Sequence, residues 1–285
     1  MKKTDAKDVA DELGALASAP RALLHDLHLL TRNGDLNADA RRKIKQVSHL
    51  ITQLRPALDD ALARHDDPVI VDCGAGKSYL GFLLYASVLG PAGRGTVIGV
   101  EARPELVEAS AARAKSYGFD RMRFVSGTIE GAALPDRIHV VVALHACDTA
   151  TDDALALAIR RSADHVAVVP CCQAEVARLL ADSPADDPAT RALYAHPWHR
   201  RELGSHLTNV IRALALEARG YQVTVTELAA WEHSLKNELI RGRRVGRFER
   251  KAEEKLQALL DRFQIRPAIV RALEDDQGRP DPQAG

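Results

Sequence analysis

The chain has 285 residues, 46% of them hydrophobic and 27% charged, a balance that excludes a disordered or fibrous chain and leaves one large domain or a domain with an appendage. Lys plus Arg equals Asp plus Glu at 39 each, which excludes a whole-molecule charge pull toward nucleic acid or membrane and leaves only local patches. No apolar run approaches the ~20 residues of a membrane helix, and with aromatics at 4% the core must be mostly Ala, Leu, Val and Ile.

Met1–Asp8 has no apolar segment behind it and does not read as a secretory signal. Residues 1–66 read as a helical extension. Leu23, Leu24, Leu27, Leu29 and Leu30 fall near helical spacing, as do Ile44, Val47, Leu50, Ile51 and Leu54, with Asn33-Gly34-Asp35 as a turn between the two groups. Asp66-Asp67-Pro68 breaks the helix. From Val69 the period changes. Val69–Asp72 predicts a buried strand, Ser78–Leu89 a helix, Thr96–Glu101 a second strand and Glu105–Tyr117 a second helix. Arg123–Val125 and Ile138–Leu144 follow as strands, Asp152–Arg161 as a helix and His165–Val169 as a fifth strand. This alternation predicts a parallel α/β sheet with helices on both faces and the loops after its strands along one edge.

Residues 174–200 give no clear period, and Asp182–Pro188 reads as a loop. Asn209–Gly220 predicts a helix, Tyr221–Glu227 a strand and Leu235–Arg241 a final strand; 249–274 read as helical and Gln277–Gly285 as a tail. The expected organisation is a helical extension (1–66), an α/β domain (67–248) and a C-terminal helix with its tail (249–285). Four cysteines, Cys73, Cys147, Cys171 and Cys172, lack the spacing of a disulfide framework, so a reduced, cytoplasmic protein without membrane attachment is expected.

The segment Val69-Ile70-Val71-Asp72-Cys73-Gly74-Ala75-Gly76-Lys77-Ser78-Tyr79-Leu80 joins a strand to a helix through glycines, which lets a backbone approach a ligand closely. Three nucleotide-binding loops share that design. A phosphate loop needs a glycine at position 71, where Val71 stands. A dinucleotide loop needs a third glycine where Tyr79 stands. The pattern D-x-G-x-G is met in full by Asp72-Cys73-Gly74-Ala75-Gly76. An acid closing the second strand, Glu101, has the chemistry to accept both hydroxyls of a ribose; a solvated loop acid is the plainer reading.

In Asp72–Gly76 and Glu101 the chain resembles the class I S-adenosylmethionine-dependent methyltransferases, with a Rossmann-like sheet. The resemblance implies S-adenosylmethionine as cofactor, its methionine end held by Asp72, with Gly74 and Gly76 passing beneath it. Lys77 then meets the cofactor carboxylate or the substrate, and Ser78 replaces a further glycine. Ala102 follows the ribose acid, while Thr128 and Ile129 border the adenine. Leu144 and His145, at the end of the fourth strand, complete the cofactor's surroundings.

Leu144-His145-Ala146-Cys147-Asp148 and Val169-Pro170-Cys171-Cys172-Gln173 resemble a narrower subfamily that includes eukaryotic tRNA acceptor-stem 2′-O-methyltransferases. Lys43-Ile44-Lys45-Gln46 is similar to a helix of those relatives, and His233–Arg241, with Lys236, to a late strand of bacterial members. The resemblance spans residues 40–242. It implies that strands one, four and five bring Cys73, His145, Cys147, Asp148, Cys171 and Cys172 to one edge. Three readings compete there. Zinc suits His and Cys, but adjacent Cys171 and Cys172 point opposite ways in an extended segment. Cys171 after Pro170 has the context of a thiolate nucleophile. Otherwise the cysteines shape a pocket in which His145 touches cofactor or substrate. No metal is expected. The candidate catalytic group is His145 as a base near neutral pH, Asp148 orienting it or binding substrate, Cys171 and Lys236. Asp148 also reads as a helix N-terminal acid.

Basic residues cluster at Arg41, Arg42, Lys43 and Lys45, at Arg200–Arg201, and along Arg241–Lys251, which holds six cations and one acid. Such patches bind backbone phosphates or serve as solvated faces. With the tRNA-enzyme resemblance, RNA is the expected substrate; a protein or small-molecule acceptor and a non-catalytic cofactor binder are the alternatives.

Overall fold

A computed structural model describes residues 13–31, 38–144, 146, 148–170, 173–183, 187–228 and 238–277. The chain forms two compact units, one of residues 1–134 with 227–237 and the other of 135–226 with 238–285. Among the described residues the first unit carries three strands, in the order β3 (Met122–Ser126), β2 (Thr96–Glu101), β1 (Val69–Cys73), and the second four, in the order β4 (Val140–Ala143), β5 (His165–Val168), β7 (Glu238–Arg244), β6 (Tyr221–Glu227). The described residues include no helix long and apolar enough to cross a membrane.

The first unit begins with a 3₁₀ turn, Gly14–Leu16, and a short helix α1, Arg21–Asp26. Helix α2, Ala38–Arg64, buries Ala40, Ile44, Ile51, Leu54, Leu58 and Ala61, so spacings of three, four and seven lay one apolar stripe along its length. The predicted turn at 33–35 lies outside the described residues. Strand β1, Val69–Cys73, is followed by α3, Tyr79–Leu84. The predicted helix does not run on regularly to Leu89. Tyr85–Leu89 form a widened π-helical turn of buried side chains, with Tyr85 against Phe119 at 4.6 Å between ring centroids.

Strand β2, Thr96–Glu101, is buried throughout and lies parallel to β1, with Asp72 opposite Gly99 and Cys73 opposite Val100. Helix α4, Pro104–Ser116, leads to β3, Met122–Ser126, again parallel, with Glu101 opposite Ser126. The C-terminal ends of these strands, and the loops that follow them, therefore share one edge.

In the second unit β4, Val140–Ala143, and β5, His165–Val168, are parallel and fully buried, joined by α5, Thr149–Arg160. The stretch with no clear period holds α6, Glu175–Asp182, and α7, Pro188–Tyr194. Helix α8, Pro197–Ala218, starts twelve residues before the expected Asn209, because its first turns carry no apolar stripe for a period to reveal. Strand β6, Tyr221–Glu227, has the predicted bounds.

Strand β7, Glu238–Arg244, whose direction the residue pattern left open, runs antiparallel to β5 with His165 opposite Arg243. Only residues 228–237 separate β6 from β7, fewer than the dozen or more that a parallel crossover uses. The helical stretch after 249 is two helices, α9, Arg250–Phe263, and α10, Ala268–Gln277, broken where Gln264 adopts a left-handed φ of +50°.

Candidate functional site

The site in the first unit is built at the ends of β1 and β2. Gly74 and Gly76 have φ of +65° and +57°, so the loop turns through a region that side chains disfavour. The Ala75 amide donates to the Val100 carbonyl at 2.9 Å, and Gly99 leaves room for Ala75, since a Cβ there would lie 3.3 Å from the Ala75 methyl. That docking aims the Gly76 amide at Glu101, where it donates to Oε2 at 2.8 Å. Glycine loop and acid thus form one hydrogen-bonded piece.

Ser78 has φ +52°, the left-handed value that a glycine would hold without strain. Its buried hydroxyl has no hydrogen-bond partner among the described residues. Nearby, Asp72 is 2% exposed and its Oδ2 also has none among them. Burial pushes the Asp72 carboxyl up to about 7, against a smaller downward pull from the Gly81 amide. Gly81 is needed here: a Cβ would come to 2.6 Å from Ser78 Oγ and 3.2 Å from Asp72 Oδ2.

Glu101, also buried, is already engaged. Oε1 accepts from the Arg103 amide at 3.1 Å and from Arg103 Nε at 2.8 Å, and Oε2 accepts from Arg103 Nη2 at 3.3 Å. The Arg103 side-chain bond is the main cause holding the Glu101 carboxyl below its ordinary range; burial opposes it, and the Arg103 and Gly76 amides assist. Arg103 was not singled out from the sequence, where its position two residues after the acid was the only signal. Its side chain is 61% exposed and can swing away.

Ala102 and Lys77 are exposed beside this piece. The loop after β3 is tied to it by the Gly127 amide, which donates to the Glu101 carbonyl at 3.0 Å. Thr128 is exposed and its hydroxyl accepts the Gly131 amide at 3.2 Å, while Ile129 is buried. Asp72, Gly74, Gly76, Glu101, Thr128 and Ile129 therefore lie on elements that bond to one another. Cys73 is buried in the same unit.

In the second unit Leu144 is half-buried. Asp148 has φ +50° and ψ −117°, and its carboxylate makes three bonds: Oδ1 accepts the Ala174 and Glu175 amides at 3.0 and 3.1 Å, and Oδ2 accepts Arg178 Nη2 at 2.9 Å. It caps the start of α6. Burial raises its carboxyl, but the combined bonds hold it below the ordinary range. The Asp148 carbonyl accepts Arg212 Nη2 at 2.8 Å. Arg212 is fully buried and makes a two-point pair with Asp152, at 2.8 and 2.9 Å. Burial raises the Asp152 carboxyl in spite of that pair. Nη1 donates to Asn209 Oδ1 at 3.3 Å, and Asn209 Nδ2 donates to Glu238 at 2.9 Å. An arginine within the predicted helix was the only sequence sign of this network. His145, Cys147, Cys171, Cys172 and Lys236 lie outside the described residues.

The first-unit site fits S-adenosylmethionine. Positive-φ glycines let a ligand lie against the backbone, Asp72 keeps a buried oxygen without a donor, and Glu101 closes β2 with two acceptor oxygens that an exposed arginine can release. Residues 42–179 match a family described as a methyltransferase domain. No curated protein matches the chain. Among solved structures, similarity extends to an rRNA methylase from Streptococcus thermophilus, with 13% identity, TM-score 0.44, and 68% of this chain and 95% of that one covered. A methyltransferase of Podospora anserina with SAH bound has 15% identity, TM-score 0.46, and coverage of 85% and 98%. Magnesium protoporphyrin IX methyltransferase from Synechocystis has 10% identity, TM-score 0.43, and coverage of 84% and 100%. Likeness at this level carries no argument about substrate. Residues 42–179, just under half of the chain, thus carry a methyltransferase domain, and the glycine loop and Glu101 lie within it.

Proposed function

We propose that the enzyme methylates RNA, either tRNA or rRNA. The observation that carries this reading is the basic stretch that runs from the end of β7 into α9. Arg243, Arg244, Arg247, Arg250 and Lys251 are all exposed on β7, the start of α9 and the turn between them. Exposed cations in such a run bind phosphates in a salt-dependent way. In the first unit Arg41, Arg42, Lys43 and Lys45 are exposed on α2 and supply a second basic patch.

S-adenosylmethionine supplies a methyl group made electrophilic by its sulfonium. The chain's own work is to hold and align. Asp72 would hold the methionine end of the cofactor and Glu101 its ribose, and the glycine loop would let it lie against the backbone. His145 is the proposed base for the proton of the attacking group, and Cys171 and Lys236 are further candidate catalytic residues. Asp148 is the proposed positioning residue, since its carboxylate is spent on the start of α6 and Arg178.

The test is transfer of a labelled methyl group from S-adenosylmethionine into extract of cells lacking this gene, divided between RNase and protease. Label lost with RNase is the expected result and directs mapping to tRNA and rRNA. Label lost with protease moves the substrate to protein. Label in neither macromolecule leaves a small-molecule acceptor or a cofactor binder.

A further inference from the structure

Helix α8 is about 33 Å long at 1.5 Å per residue, and its tight packing begins at Gly204. A Cβ on Gly204 would come to 2.7 Å from the Ala177 amide nitrogen of α6, so the two helices touch backbone to backbone. Before that point, none of the residues from Ala195 to Leu203 is buried. Even so, this end of the helix and the last turn of α7 before it display large apolar side chains: Leu193 is 56% exposed and Trp198 53%. No core uses them. The Arg201 guanidinium lies over the Trp198 ring, 4.1 Å from its centroid. The rings of His196 and His199 stand 5.4 Å apart on the same turn. From Pro188 to His206 the chain holds three arginines, three histidines and a single acid, Glu202, which Arg201 meets at 3.2 Å.

We propose that this end of α8 is a stacking platform for unpaired nucleotides of the RNA substrate. The proposal rests on the RNA reading above. Trp198 takes a base against its ring, and Arg200 and Arg201 meet the flanking phosphates. Charge complementarity selects an anionic partner. The indole selects its kind: every base has a flat π face, and aromatic rings interleaved with cations form the usual surface for single strands. A duplex offers phosphates but keeps its bases stacked within, so the indole would go unused.

The experiment measures binding of three labelled probes to the full chain at about 50 mM salt: an RNA single strand of about 12 nucleotides, the matching duplex, and a glutamate peptide of similar length. The wild type is expected to prefer the single strand. Trp198→Ala should weaken that binding about fivefold or more, with Trp198→Phe retaining most of it. Arg200→Ala with Arg201→Ala should flatten the dependence of log affinity on log salt by about 1.4, at about 0.7 for each phosphate left without its arginine. These side chains are outside the core, so melting temperature and S-adenosylmethionine affinity should match the wild type. Equal single-strand binding by wild type and Trp198→Ala would overturn the platform and leave the RNA reading standing. A wild type that binds neither RNA overturns both. A preference for the peptide that Trp198→Ala abolishes assigns the surface to a protein partner and overturns the platform.

Discussion

Asp72 keeps a carboxyl group in the core with one oxygen unbonded, which costs stability and calls for a reason outside stability. Its ordinary value is 3.8, and burial lifts it to about 7. Between those two values the folded chain holds a proton that the unfolded chain has released. Stability from this group is therefore present below pH 3.8, falls as pH rises toward 7 and stays low above it. Asp72→Asn does not titrate, so its melting temperature should gain on the wild type steadily from about pH 4 to 7 and then run level. The same variant should bind S-adenosylmethionine more weakly. Melts across that range with a binding titration at about pH 7.5 check both. Arg103 makes the opposite case. An exposed ion pair is weak, so Arg103→Ala should tighten S-adenosylmethionine binding about two- to fivefold by leaving Glu101 open to the ribose. Equal or weaker binding would show that Arg103 does not compete. Asp72, Gly74, Gly76 and Glu101 were legible because a strand end, a glycine pair and an acid recur at fixed spacing. Arg103 was not, because a surface arginine two residues after an acid has many other uses.

Among the elements, the Arg212–Asp152 pair joins α8 to α5 and, through the Asp148 carbonyl, to the turn after β4. Removing one partner strands a buried charge. Arg212→Ala should lose about 3–5 kcal/mol in denaturant unfolding, whereas Arg212→Met combined with Asp152→Leu should lose far less. A double variant as unstable as the single would mean that the bonds to Asn209 and the Asp148 carbonyl carry the energy. The elements themselves were legible in proportion to their apolar period. β2 and β6 have their predicted bounds, since alternation or full burial marks a strand clearly. The first turns of α8 were invisible, because a helix end with nothing packed on it has no stripe. β7's direction was invisible too: residue pattern fixes which face a strand buries and says nothing of which way it runs.

For the molecule as a whole, a ligand that binds only the folded state stabilises all of it. S-adenosylmethionine at about a hundredfold excess over its dissociation constant should add about 2.7 kcal/mol and raise the melting temperature by about 5 °C or more. NAD and ATP, the ligands of the two rejected loop patterns, should leave it unmoved. A shift with either in place of S-adenosylmethionine would reverse the assignment of the loop. The strand–helix steps from β1 to β5 were readable because each repeats one physical plan. The acceptor was not, since no single charge sign dominates the composition and a basic cluster in a sequence reads equally as a phosphate site or a solvated face.

The half-ionised carboxyl under the glycine loop also makes ligand capture a proton-releasing event. A cation brought beside Asp72 favours its charged form, so near neutral pH each molecule bound expels part of a proton into the medium. The heat of binding then varies with the ionisation enthalpy of the buffer, and the affinity for S-adenosylmethionine climbs with pH up to about 7.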